Sequence, residues 1–117
     1  MNIEDLRDYC LSFKGTSEAI KWDTALTFMV STKIFVLSSV DAFPTRCSIK
    51  VEREVFEELI EDDNFIQAPY LAKNQWIQIQ DIEQVKDNQL KALVSNSYSR
   101  IKSKLTKKLQ KEIDLLD

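Results

Sequence analysis

Apolar positions in the first fourteen residues recur at helical spacing: Ile3, Leu6, Cys10 and Phe13 fall on one face. Asn2 stands where a helix cap belongs, with Asp5 three positions on, a short relative of the capping box. The helix is expected to end near Lys14-Gly15, since Gly15, the only glycine, suits a left-handed stop. The period then shortens. Stretches around Glu18 to Trp22, Ala25 to Val30, Lys33 to Ser39 and Thr45 to Val51 are rich in β-branched and aromatic residues and are separated by turn-forming clusters. They predict an antiparallel meander. In the fourth stretch Cys47, Ile49 and Val51 alternate with Arg46, Ser48 and Lys50, which predicts one buried and one wet face.

A helical stripe of Val55, Phe56, Leu59 and Ile60 follows, with Glu52 and Glu54 near its positive end, so a second helix is expected over residues 52 to 61. After a loop through Pro69 and Tyr70, the sequence WIQIQ alternates again, with Ile77 and Ile79 on one side and Trp76, Gln78 and Gln80 on the other. Asp87 is the expected cap of a long third helix carrying Leu90, Leu93, Val94, Ser97, Ile101 and Leu105. Thr106 is the cap of a short continuation with Leu109 and Ile113. The pattern predicts one α+β domain spanning residues 1–117, ordered helix, four-strand meander, helix, strand, helix, with helices packed on one face of a twisted antiparallel sheet.

Composition adds exclusions. No histidine is present, so Ser-His-Asp and Cys-His catalysis and His-based zinc sites are ruled out. One glycine permits neither a P-loop nor a dinucleotide fingerprint. The acidic group Glu57, Glu58, Glu61, Asp62 and Asp63 lacks the spacing of a calcium loop and reads as a solvated helix face. The expectation is a chain that is not an enzyme and has no cofactor or metal. Cys10 and Cys47 occupy apolar positions and read as two buried free thiols. An acidic start in place of a basic one followed by an apolar run predicts no secretory signal. No apolar run approaches the ~18 residues of a membrane span. A cytoplasmic location with no membrane partner is expected.

The net charge of -3 argues against binding nucleic acid through bulk positive charge, but charge is segregated. EREVFEELIEDD opposes a row of acids with Arg53 alone, whereas RIKSKLTKKLQK contains no acid. The basic run Arg100, Lys102, Lys104, Lys107, Lys108 and Lys111 suits phosphate contacts, or simply a helix end stabilised through its dipole and solubilised by charge. A second candidate is the outward sheet face, where Arg46 and Lys50 accompany Trp76, Gln78 and Gln80. An exposed indole there would stack on a base or an aromatic ligand; the competing reading covers Trp76 with the loop from Tyr70 to Gln75.

Three segments carry a resemblance: MNIEDLRDYCLSFKGTSE, APYLAKNQW, and the ending LKALVSNSYSRIKSKLTKKLQKE with its Ser-Tyr and Leu-x-Lys-Lys pattern. In order and spacing they resemble the MmcQ/YjbR-like family over nearly the whole chain. The resemblance implies a frataxin-like α+β fold, also called a double wing, a DNA-binding role, and no catalytic residues. It marks Pro69, Tyr70, Lys73, Trp76, Ser97, Tyr98, Lys107 and Lys108. Gln75 and Ala72 depart from the family, which usually has His and often Asn there. The leading expectation is a DNA-binding module in which Arg46, Lys50, Lys73, Lys104, Lys107 and Lys108 meet phosphates while Tyr70 and Trp76 stack or wedge. The alternative is a small-ligand or protein-interaction module using the Trp76/Tyr70 sheet face.

Overall fold

The computed structural model describes residues 1–69 and 75–116. The order is α1 (Ile3–Leu11), β1 (Thr16–Lys21), β2 (Ala25–Val30), β3 (Lys33–Ser39), β4 (Cys47–Lys50), α2 (Arg53–Leu59), β5 (Phe65–Gln67), β6 (Trp76–Ile79), a 3-10 turn (Ile82–Gln84), α3 (Asp87–Ser103) and α4 (Lys107–Asp114). The six strands form one antiparallel sheet in the order β1-β2-β3-β4-β6-β5.

The first helix starts as expected. The Asn2 side chain accepts from the Asp5 amide and the Asp5 carboxylate accepts from the Asn2 amide, closing a full capping box. Gly15 has φ +72, and an added Cβ would meet Ile113 Cγ1 at 3.0 Å, so both the backbone conformation and the contact with α4 require glycine. At the start of α3 the expectation shifts by one residue: Lys86 occupies the cap position, and Asp87, inside the first turn, instead accepts the Met1 ammonium at 2.9 Å.

One core joins the layers. Leu6 and Cys10 of α1, Leu90, Val94 and Ile101 of α3, and Phe28, Val36, Ile49, Ile77 and Ile79 of the sheet are all buried together. Phe13 stacks on Tyr98 at 4.6 Å, and both meet Phe35 edge-on, which places α1 and α3 on the same side of β3. Cys10 and Cys47 are free and buried, and burial raises both thiols well above their ordinary range, so neither supplies a thiolate near neutral pH.

Two sequence expectations are corrected. Phe65–Gln67 is a strand, paired with β6 along the sheet edge, where a loop was expected; three residues are too few for alternation to register. The side of β4 expected to be wet is covered, with Ser48 and Lys50 buried alongside Cys47 and Ile49.

Candidate phosphate-binding surface

At the end of β4 the strand ladder is broken and then repaired by a helix. A bulge between Phe28 and Met29 leaves Phe35 without a partner on β2, and pairing of β3 with β4 stops at Val36 and Ile49. Ser97, fully buried on α3, fills the gap: its hydroxyl accepts from the Lys50 amide at 3.1 Å and donates to the Phe35 carbonyl at 2.6 Å. This single side chain fixes where β4 ends relative to α3. It therefore fixes where the Lys50 side chain begins.

Lys50 is 9% exposed and has Lys104 and Arg100 as its charged neighbours. Burial, followed by hydrogen bonding to Lys104 and repulsion from Lys104 and Arg100, lowers its ammonium from the usual lysine range to about 8. One carboxylate answers this group, Glu52, whose Oε1 lies 3.4 Å from the Arg100 guanidinium. The Arg100 Nε is buried without a hydrogen-bond partner. Arg100, Ser99 and Ser103 share with Val51, Val55 and Leu93 the lining of a cleft of about 330 Å³.

Lys104 is the C-cap of α3, and Thr106 caps α4 by accepting from the Leu109 amide. Lys104, Lys107 and Lys108 are all exposed, so the α3–α4 junction presents three ammonium groups within five residues. The helix dipole favours Lys104 at the end of α3, but it opposes Lys107 and Lys108 in the first turn of α4, where unpaired amides already carry partial positive charge. Dipole stabilisation thus accounts for the first of these lysines and not the other two. Among the described residues Lys50, Lys104, Lys107 and Lys108 have no ion-pair partner; Lys102 is paired with Asp114.

The composite surface expected from the sequence does not assemble. Trp76, opposite Lys50 on β6, is 8% exposed and so offers no open stacking face. Arg46 is exposed at the other end of β4 from Lys50, roughly 13 Å along the strand, and lines a hollow with Asp41, Asp62, Asp63 and Asp81. Tyr70 and Lys73 lie outside the described residues. The sequence places Arg100 in the basic run but shows neither its approach to Lys50 nor the role of Ser97 in holding that strand end. A small hydroxyl at an apolar position of the α3 stripe was the available signal for Ser97.

Among the described residues, no helix is long and apolar enough to cross a membrane, and no three carboxylate or thiol side chains converge closely enough to hold a metal ion. A family model described as YjbR matches residues 11–100. The fold is similar to the crystal structure of a Deinococcus radiodurans protein with a DUF419 domain, at 27% identity and TM-score 0.88, covering 99% of this chain and 90% of that one. A Pseudomonas syringae protein, 18% identical with TM-score 0.73 over 86% of this chain and 99% of its own, shares the fold. No curated protein matches the sequence.

Proposed function

We propose that this chain, which belongs to the YjbR family, is a binding module that holds the phosphate backbone of DNA at the α3–α4 junction. The observation that carries the reading is the meeting of Lys50, Arg100 and Lys104 against one carboxylate, next to two lysines at a helix start where the dipole disfavours them. Such an arrangement costs stability in the free protein, and a phosphate oxygen relieves it. The anion would neutralise the cluster, hold the proton on Lys50 more firmly, and accept from amides in the first turn of α4. Lys104, Lys107 and Lys108 supply mobile contacts; Lys50 supplies a fixed one. The recognition is of backbone charge and is indifferent to base sequence. With no histidine and no nucleotide-binding glycine loop, the reading is of a binder and not a catalyst.

The small-ligand alternative is weaker because its exposed indole is absent. The hollow left on that sheet face, lined by Leu37, Ser48, Pro69 and Gln78, is about 250 Å³, below the usual range for a ligand pocket.

Fluorescence anisotropy of a labelled 20-base-pair duplex, titrated from low to moderate salt, tests the proposal. Log affinity should fall against log salt with a slope of about -3 to -4, and Lys107→Ala with Lys108→Ala should reduce that slope by about 2. A flat titration, or an unaltered slope in the double variant, defeats it.

A further inference from the structure

The opposite end of the molecule carries unrelated features. Ile20, Trp22, Val40 and Phe43 are 61%, 72%, 50% and 92% exposed. They cluster by topology: Ile20 is near the end of β1, Trp22 is in the β1–β2 turn, Val40 directly follows β3, and Phe43 is in the β3–β4 connection. The Val40 amide donates to the Thr24 carbonyl, which ties the β3 exit to that turn. Trp22 and Asp23 have φ of 50 and 70, a left-handed conformation that disfavours a bulky side chain. A tryptophan there costs backbone energy and gains no burial, so neither turn chemistry nor core packing explains it.

Beside Phe43 lies the hollow lined by Asp41, Asp62, Asp63 and Asp81, in which Arg46 is the single cation. None of these four carboxylates is in an ion pair among the described residues. Asp62 and Asp81 accept from the Asn64 and Glu83 amides and so are held in place by their own turns. The absence of a converging metal-binding group among the described residues favours a cation distributed along a chain over a single bound ion.

We infer that this end of the sheet is a docking surface for a basic segment of another protein, with apolar side chains seated on Trp22 and Phe43 and lysines or arginines facing the aspartates. Tryptophan and phenylalanine are the anchors expected at the centre of such a contact, and the acidic hollow sets the sign of the partner's charge. A second copy of this chain fits less well. Its α4 exposes lysines while Leu109 and Ile113 turn inward, and its exposed Leu115 and Leu116 follow Asp114, which would meet like charge.

The test uses the whole chain and two labelled 16-residue probes, an amphipathic Leu/Lys peptide and its Leu/Glu counterpart, followed by anisotropy at moderate salt. The Leu/Lys peptide should bind and the Leu/Glu peptide should not. Phe43→Ser, and separately Asp62→Asn with Asp63→Asn, should each weaken binding about tenfold. Lys107→Ala with Lys108→Ala should leave it unchanged, and Phe43→Ser should leave DNA affinity unchanged, which separates this site from the phosphate surface. Circular dichroism confirms that each variant is folded. No binding of the Leu/Lys peptide, or binding indifferent to the Phe43 and aspartate changes, overturns the inference. So does a dimer in sedimentation equilibrium that Phe43→Ser dissolves, because the occupant would then be a second copy.

Discussion

Ser97→Ala is the substitution whose consequence follows most directly from the geometry. The hydroxyl makes two hydrogen bonds at a fully buried position, accepting from the Lys50 amide and donating to the Phe35 carbonyl. Beyond Lys50, the Val51 amide donates to the carbonyl of Gln75, just before β6, so the Lys50 amide points the other way, to where β3 pairing has already ended. Alanine leaves that amide with no acceptor. A lost buried hydrogen bond costs about 1 kcal/mol net, and an orphaned buried donor or acceptor costs about 1–3 kcal/mol, so the total should be about 2–4 kcal/mol. With a urea slope of roughly 1.5 kcal/mol per molar, the unfolding midpoint should fall by about 1.3–2.7 M without change in slope. Urea titration followed by far-ultraviolet circular dichroism reads this directly. A loss under about 0.5 kcal/mol would refute the idea that Ser97 repairs the ladder, and full retention of DNA affinity in the folded variant would refute its role in holding Lys50.

Lys50→Met should raise stability near pH 7 by about 1–3 kcal/mol while weakening duplex binding, because it removes a buried, repelled ammonium. The sign follows from linkage. The folded-state value near 8 lies below the unfolded one, so the penalty is present in full below about pH 8 and fades as pH rises towards the ordinary lysine range. Thermal melts of wild type and variant should therefore converge near pH 10, and a constant difference across that range contradicts the assignment. Gly15→Ala should cost about 1–3 kcal/mol, since φ of +72 and the Ile113 side chain both oppose a methyl group; an unchanged melting temperature would contradict this.

Much of the architecture was legible because local chemistry and burial agree. Asn2 and Asp5 announce the first helix, although it ends at Leu11 with Ser12 as its C-cap, and Gly15 supplies its left-handed residue in the turn beyond, before β1. The shortfalls share one origin. Phe65–Gln67 is too short to show a period, and without it β6 reads as an edge strand with a wet side. β5 makes β6 an internal strand, and Trp76 is buried although it alternates with Ile77. Charge runs were visible, but their sorting was not. Arg46 and Lys50 are four residues apart and read as one patch, yet the strand carries them to opposite ends, one among aspartates and the other beneath Lys104 and Arg100. Sequence distance along a strand converts directly into spatial separation, whereas Lys50 and Lys104 are adjacent only because α3 crosses β4.

The proton on Lys50 reports most directly on whether this cluster exists to receive a phosphate. Side-chain nuclear magnetic resonance of isotope-labelled lysine, titrated in the free protein and in a saturating complex with duplex DNA, measures it in both states. The account predicts a midpoint near 8 in the free protein that moves up by at least about one unit when the duplex is bound. The same midpoint in both titrations would contradict it.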